Sequence, residues 1–469
     1  MYRSLILLII FISACASKIE PKKVDSSSLF KYVADSLEKR LPDLKISCDN
    51  GDQYACVDYA QYYLSIESSK ARHEEIQKGC DDGNKQFCHV LAKEEFNRGN
   101  ISTGENKLEA LCNSGEPFSC TFLGRNQLLK EMFKRKPFKP NSYLKKACAL
   151  NFPEACVRLE FQIATKRKNY VENIIKLAHD EKLMRDIALM DLIFYSLAGS
   201  SPEKARELAA DLCAKGVINL CYRKYKSNEL SIAIINDLCE SGSGEACYAM
   251  GNIERQNRNT DSSLQNYLKG CSNLHTRSCS EVSSIIERER YDYETSSKFL
   301  NLLVQTRDTS GSMGFGTSYH KQKNFNQAIP YYEVVCYLNF PPGCFLLAKV
   351  YDELKKIDEA IKYSDLACRY NFLDGCKLNT ELSLKADNTE EASKSLIEGC
   401  KLKDFESCLR SCSLEFLNGE PEKGINSLKS GCGELIGTRK ECPASFDQKQ
   451  VAQICNKSKN QILRDLAKK

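Results

Sequence analysis

Residues 239–247 read CESGSGEAC, with a cysteine at each end, seven residues between them and a glycine three places after the first cysteine. The frame returns as CDNGDQYAC from Cys48, CDDGNKQFC from Cys80, CNSGEPFSC from Cys112 and CAKGVINLC from Cys213. In one continuous helix, residues eight apart lie roughly 12 Å apart along the axis. A disulfide needs its Cα atoms within about 7 Å. Cysteines paired inside this frame therefore require the chain to reverse between them. The third residue supplies the reversal: it is Gly51, Gly83, Gly115, Asn151, Gly216, Gly242, Asn339 or Asn371 in eight of ten frames, with Leu274 and Lys403 as exceptions. Glycine and asparagine accept the left-handed conformation that ends a helix. Each first cysteine is thus expected in the last turn of one helix, and each second cysteine in the first turn of the next.

The ten frames pair Cys48 with Cys56, Cys80 with Cys88, Cys112 with Cys120, Cys148 with Cys156, Cys213 with Cys221, Cys239 with Cys247, Cys271 with Cys279, Cys336 with Cys344, Cys368 with Cys376, and Cys400 with Cys408. Of the 25 cysteines, Cys15 lies in the N-terminal signal and four others stand outside the frames: Cys412, Cys432, Cys442 and Cys455. Cys432 is in phase, 32 residues after Cys400, and Cys442 follows it at ten rather than eight, so these two are expected to pair. That leaves Cys412 with Cys455, a bridge that would pin a terminal helix onto the last hairpin. The alternative is a small buried thiol at Cys412 with Cys455 unpaired. Zinc is a poor reading, because structural zinc sites bring cysteines two to four residues apart and the five histidines, His73, His89, His179, His275 and His320, are scattered.

The commonest step between first cysteines is 32 residues, and the two steps of 65, from 148 to 213 and from 271 to 336, each hide a unit without cysteines. In the second of these, Val304 and Ser312 stand at the cysteine positions. Four places before the first cysteine the residue is mostly apolar, from Ile76 and Leu108 to Tyr332 and Leu428, with Ser364 breaking the rule. Small residues recur eight before the first cysteine (Gly104, Ala205, Ser231, Ser263, Ala328, Ala360, Ala392, Gly424) and four after the second (Ala60, Ala92, Gly124, Gly251, Ser283, Ala348). Positions four and eight apart share a helix face. Helix starts are expected at Ser201-Pro202-Glu203 and Thr389-Glu390-Glu391, each with a capping side chain and early acids. The fold class is all-α: an α/α solenoid of about twelve disulfide-bridged helix hairpins, each burying its face against its neighbours alone. Each bridge closes a short loop worth roughly 2.5 kcal/mol at most. The units near residues 178–188 and 304–312, which lack one, are expected to open first.

Paired helices, this period, the small residues and the cysteine spacing together resemble the Sel-one-like repeat family, relatives of the tetratricopeptide repeats, and in particular its cysteine-rich bacterial branch. The resemblance covers about residues 45 to 442. It implies a disulfide in each repeat and a binding role. The branch has also been linked to penicillin binding and β-lactam hydrolysis.

The N-terminus, MYRSLILLIIFISACAS, has one Arg, an apolar run too short to span a bilayer, and then small residues, the pattern of a secretion signal. Ile12-Ser13-Ala14-Cys15 resembles the bacterial lipobox. The resemblance implies lipidation of Cys15 and, with Ala16 following, the outer membrane. The expected organisation is a lipoprotein signal peptide over 1–14, a lipid-anchored tether over 15–25, N-terminal capping helices over 26–47, the repeat solenoid over 48–442 and a C-terminal capping helix over 443–469, opened by the capping box Ser445-Phe446-Asp447-Gln448. The amphipathic stretch Ser26 to Leu41 is expected to close the first unit.

Chemistry is sparse. Ser28-Leu29-Phe30-Lys31 and Ser142-Tyr143-Leu144-Lys145 match the first element of the serine β-lactam enzymes, but the other elements are absent. The glycines Gly311, Gly314 and Gly316 have the wrong order for a dinucleotide loop, and Gly316 fills a small-residue slot of its repeat. The basic stretch KEMFKRKPFKP, Lys130 to Pro140, reads as a solvated loop. With 67 Lys+Arg against 62 Asp+Glu, nothing argues for nucleic acid. The expectation is a non-enzymatic envelope lipoprotein without cofactors. It would bind envelope proteins or peptidoglycan-associated partners and reach the membrane through its lipid anchor, on the periplasmic or surface face. An enzyme acting on β-lactams or peptidoglycan is the alternative, and a surface-exposed cell-interaction factor the second.

Overall fold

The computed structural model describes residues 26–67, 69–132, 141–163, 175, 201–215, 217–222, 232–273, 275–290, 292–306, 309–433, 442 and 449–455. Cys15, the signal, the tether, the cysteine-free unit near 178–188, the box at 445–448, Gly216 and Leu274 lie outside these residues. Among the described residues the regular elements are helices, running from Ser26–Glu38 to Pro421–Cys432 with a further turn at 449–455.

The cysteine frame folds as its geometry requires. Cys336 lies in the last turn of Phe325–Tyr337 and Cys344 in the first of Pro341–Glu353, and the other frames repeat this. The ten bridges hold their Cα atoms 4.4 to 4.9 Å apart. The third residue is left-handed at Gly83 (φ +101°), Asn151 (+58°) and Asn371 (+64°). Lys403, an exception in sequence, takes the same conformation (φ +66°) and so carries strain that glycine or asparagine avoids elsewhere. Cys432 joins Cys442, and Cys412 joins Cys455, with Cα atoms 5.4 and 5.6 Å apart. Both pairs lie in a buried cluster with Leu428 and Val451, which docks the turn at 449–455 on the last hairpin.

Bridged and unbridged turns alternate along the chain. Across the unbridged turns the helices also come close, where the two sets of small residues meet. A Cβ at Gly104 would stand 2.8 Å from the Ala92 carbonyl oxygen and 2.6 Å from the Phe96 nitrogen. One at Gly316 would stand 2.6 Å from the Tyr332 ring, so this glycine does fill its repeat slot. Gly311 and Gly314 are likewise packed inside the Thr309–Lys321 helix, against Val304 and Leu300. From Ile76 to Leu428 the position four before the first cysteine is buried, while Leu44 in the first unit is half-buried. Ser364 keeps this burial because its hydroxyl donates to the Ala360 carbonyl 2.8 Å away and meets Asn379 Oδ1 at 3.3 Å. Two cap expectations need correction. Ser201 makes no side-chain cap bond, and the helix after residue 388 is capped by Asn388, which accepts from the Glu391 amide, rather than by Thr389.

The larger correction concerns neighbours. Helices Ser26–Glu38, Gln53–Ile66 and Lys85–Asn97 also pack on elements more than two hundred residues away, chiefly Thr260–Ser272 and Tyr293–Thr306. The first helix closes the opening unit as expected, but its Leu29, Phe30, Val33 and Leu37 enter one core with Leu264, Tyr267 and Phe299. Phe30 meets Phe299 edge to face at 5.3 Å. The solenoid therefore closes on itself. Such closure buries apolar surface that a purely linear array would leave in water.

Candidate interaction surface

In each helix that begins with a second cysteine, residues eight and nine places after it reach the last turn. In the middle and C-terminal repeats these positions form a charged ladder. Glu287 pairs with Lys321 at 2.9 Å, His320 with Glu353 at 2.9 Å, and Asp352 with Lys385 at 3.8 Å. In every rung, position eight of one helix meets position nine of the next. The fifth and ninth positions are open over 341–385, at Lys349 and Glu353, then Glu381 and Lys385. Between the rungs Lys349 lies over the Phe345 ring at 4.7 Å, and Lys377 pairs with Asp404 at 3.2 Å. Exposed pairs such as Asp352–Lys385 contribute little to stability. The rungs leave a face of alternating charge with an aromatic ring inside it.

In the first two of the bridged repeats the same positions are uncharged or buried. Gln61 and Ser65, then Lys93 and Asn97, are 6%, 2%, 5% and 1% exposed. Asn97 Nδ2 donates to the Val304 carbonyl at 3.1 Å, and the Ser312 hydroxyl donates to the Asn97 carbonyl at 2.7 Å. Arg98 donates to Asn301 Oδ1 at 2.6 Å, while Asn301 Nδ2 reaches the Leu64 and Ser65 carbonyls at 3.4 and 3.5 Å. Glu94 supports this junction from beneath. It is nearly buried and takes Arg98 at 2.8 Å and His73 at 3.1 Å. The Glu94 hydrogen bond holds the His73 imidazole above its ordinary pKa. Further along, Tyr337 donates to Glu105, and Lys130 sits 3.4 Å above the Tyr337 ring. Lys130 is therefore engaged, not solvated as the sequence suggested, while 133–140 lies outside the described residues.

A histidine, a serine and a glutamate also meet inside the N-terminal repeats. His89 Nδ1 is 2.9 Å from Ser119 Oγ and 3.9 Å from Glu116. This is not a catalytic triad, because both partners address one ring nitrogen and Ser119 has no exposed surface. Burial lowers the His89 pKa to about 3, so the ring is neutral, and burial likewise raises the Glu116 carboxyl. Glu116 caps the helix Pro117–Met132, accepting from the Phe118 and Ser119 amides. Of the serine–lysine pairs of the sequence, Lys31 is paired with Asp35 at 3.0 Å, and Ser142 and Lys145 are both exposed. Among the described residues no cluster could hold a metal ion, and no helix is long and apolar enough to cross a membrane.

Two stretches of the chain, 313–340 and 341–372, match models of the tetratricopeptide repeat. These two stretches are similar to tetratricopeptide repeats. Each matched stretch holds one hairpin with an unbridged turn, so the Cys336–Cys344 cystine crosses the boundary between two tetratricopeptide units and fixes one against the next. No curated protein matches the chain in sequence. Among solved structures it is similar to c5321, a protective antigen of uropathogenic Escherichia coli displaying an SLR fold, at 11% identity over 91% of this chain and 95% of that one, with a TM-score of 0.37. It is also similar to a signal transduction ATPase with a tetratricopeptide repeat sensor from Pyrococcus horikoshii (15% identity, 84% and 75% covered, TM-score 0.36). Yeast Tom70 is a third (11%, 95% and 98%, 0.27). With TM-scores this low, none of them bears on function.

Proposed function

We propose that this protein is a lipid-anchored scaffold of the cell envelope, of the Sel-one-like type, which binds protein partners along the open ladder face of residues 341–385. The observation that carries the reading is the contrast within one repeat position. Lys349, Glu353, Glu381 and Lys385 are exposed, while their counterparts Gln61, Ser65, Lys93 and Asn97 are covered by the chain itself. Repeat solenoids commonly present such faces to partners. Function by fold class remains an analogy, so the site needs its own test. A photo-crosslinking residue at Lys349 or Glu381 should capture an envelope protein in intact cells, and one at Gln61 should not. Equal capture from both positions, or capture from neither, contradicts the reading. Anchoring through Cys15 is supported by the lipobox-like Ile12-Ser13-Ala14-Cys15. Cys15→Ser should abolish labelling by a fatty-acid analogue, and undiminished labelling would refute it.

A further inference from the structure

The ten framed bridges and the last two differ in how their partners find each other. Each frame closes a separation of 8 residues, and the nearest wrong partner stands much further off, as Cys80 does from Cys56, 24 residues away. Loop closure becomes less favourable with length, so chain entropy alone prefers the framed partner by about fivefold. At the C-terminus the bridges are nested instead: Cys432–Cys442 lies inside the loop closed by Cys412–Cys455. Cys442 has Cys432 ten residues before it and Cys455 thirteen after it. The same entropy separates these two partners by only about 1.5-fold. The wrong choice, Cys442 with Cys455, leaves Cys412 to Cys432. A chain oxidised as it is made also presents Cys412 to Cys432 before Cys442 has followed.

The wrong pair is incompatible with the fold. In the hairpin of Phe405–Leu417 and Pro421–Cys432, a Cβ at Gly424 would stand 3.1 Å from the Cys412 carbonyl oxygen. Cys432 lies eight residues beyond Gly424, roughly 12 Å further along the helix. A disulfide reaches only about 7 Å between Cα atoms. A Cys412–Cys432 bridge therefore keeps the last hairpin from closing and leaves its sulfurs open to attack. In the native pairing Cys412, Cys442 and Cys455 have no exposed surface and Cys432 is 1% exposed. The correct bridges are sealed once formed, and the wrong ones are not.

We propose that maturation of this chain includes a thiol-catalysed disulfide exchange at these four cysteines, a step that the ten framed bridges do not need. A catalytic thiolate attacks the Cys412–Cys432 bridge at Cys412, and Cys432 leaves as a thiolate. The Cys432 thiolate attacks the Cys442–Cys455 bridge at Cys442, forms Cys432–Cys442 and releases the Cys455 thiolate. Cys455 then attacks the mixed disulfide at Cys412, forms Cys412–Cys455 and returns the catalyst as a thiolate. As many bonds form as break, with no net oxidation. The step is independent of what the ladder face binds.

The test is oxidation of the full chain from its reduced, unfolded state, read by non-reducing peptide mapping. Diamide in the absence of any free thiol should give the ten framed bridges, with Cys442–Cys455 and Cys412–Cys432 in about 40% of molecules. A mixture of reduced and oxidised glutathione added afterwards should convert these to Cys432–Cys442 and Cys412–Cys455 and leave the frames unchanged. Cys432→Ser with Cys442→Ser removes the competing pair, so Cys412–Cys455 should then form with diamide alone. Native pairing of all four cysteines in the wild type without free thiol would overturn the proposal. So would mispairing of the frames to the same extent, or failure of glutathione to convert the wrong pairs. A Cys412–Cys455 bridge that still fails to form in the double-serine variant would place the barrier in the long loop itself and overturn it as well.

Discussion

Gly99→Ala and Gly83→Ala form a matched pair. Both glycines are left-handed, at φ +102° and +101°. Alanine pays a conformational cost at such angles of roughly 1–2 kcal/mol, partly offset by about 0.4–1 kcal/mol of reduced freedom in the unfolded chain. These contributions are the same at both sites. The surroundings are not. A Cβ at Gly83 meets nothing within 4 Å, whereas one at Gly99 would stand 2.4 Å from Pro330 Cβ and 3.0 Å from two Pro330 backbone atoms. Backbone cannot rotate away, so the cost of overpacking, about 1–3 kcal/mol, is added at Gly99 alone. Gly83→Ala should therefore lower stability by about 1 kcal/mol or less, and Gly99→Ala by about 1–3 kcal/mol more. A repeat array need not unfold in one step, so the measurement should be local, by native-state hydrogen exchange of 94–100 and 325–337. Equal effects of the two substitutions would mean that Gly99 and Pro330 do not touch in solution, and the self-closure would be wrong.

Three further outcomes follow from single positions. Lys403→Asn should raise stability by a few tenths to about 1 kcal/mol in thermal unfolding, because asparagine tolerates the left-handed angle that lysine holds under strain; no change would mean the turn is not strained. Gly375→Ala should cost about 1–3 kcal/mol and retard formation of the Cys368–Cys376 bridge in oxidative refolding, since its Cβ would stand 2.6 Å from Ala367 Cβ and 2.9 Å from the Cys368 nitrogen; unaltered refolding contradicts this. His89 is buried neutral with a pKa near 3, below the ordinary value of about 6.5. The unfolded chain therefore binds the extra proton between these values. The stability of the repeats around His89 should be complete above pH ~6.5 and fall as the pH drops toward 3; a His89 ring that titrates normally by NMR would refute the burial.

The bridges were legible because a disulfide imposes a distance, and distance plus spacing determines where the chain turns. The turns were legible through glycine and asparagine, except at Lys403, where the tertiary frame imposes the angle on a residue that disfavours it. One further signal stood beside nine of the ten framed cystines. The residues just before the two cysteines face each other, and one of them is small, as in Val335/Gly343, Ala367/Gly375 and Gly399/Ser407; Cys213–Cys221, preceded by Leu212 and Leu220, is the exception. Helix ends this close leave little room for two large side chains. The ladder face also had a signature: charged residues at positions eight and nine in Glu287, His320, Glu353 and Lys385, but Leu64, Ser65, Phe96 and Asn97 in the repeats that are covered. The pattern says that the second set is buried. It does not say by what, because a pairing between residues 97 and 312 leaves no trace in a local period. For the same reason nothing in the local period announces that Val304 and Ser312, at the cysteine positions, carry hydrogen bonds to Asn97.

Self-closure is tested most directly by a photo-crosslinking residue at Tyr337 in the purified, oxidised protein. This side chain is 36% exposed, beside Glu105, with Lys130 over its ring. The closed solenoid predicts intramolecular adducts to peptides from 101–113 and 130, more than two hundred residues away. Adducts confined to the sequence neighbours of Tyr337 would describe an open, linear array and contradict it.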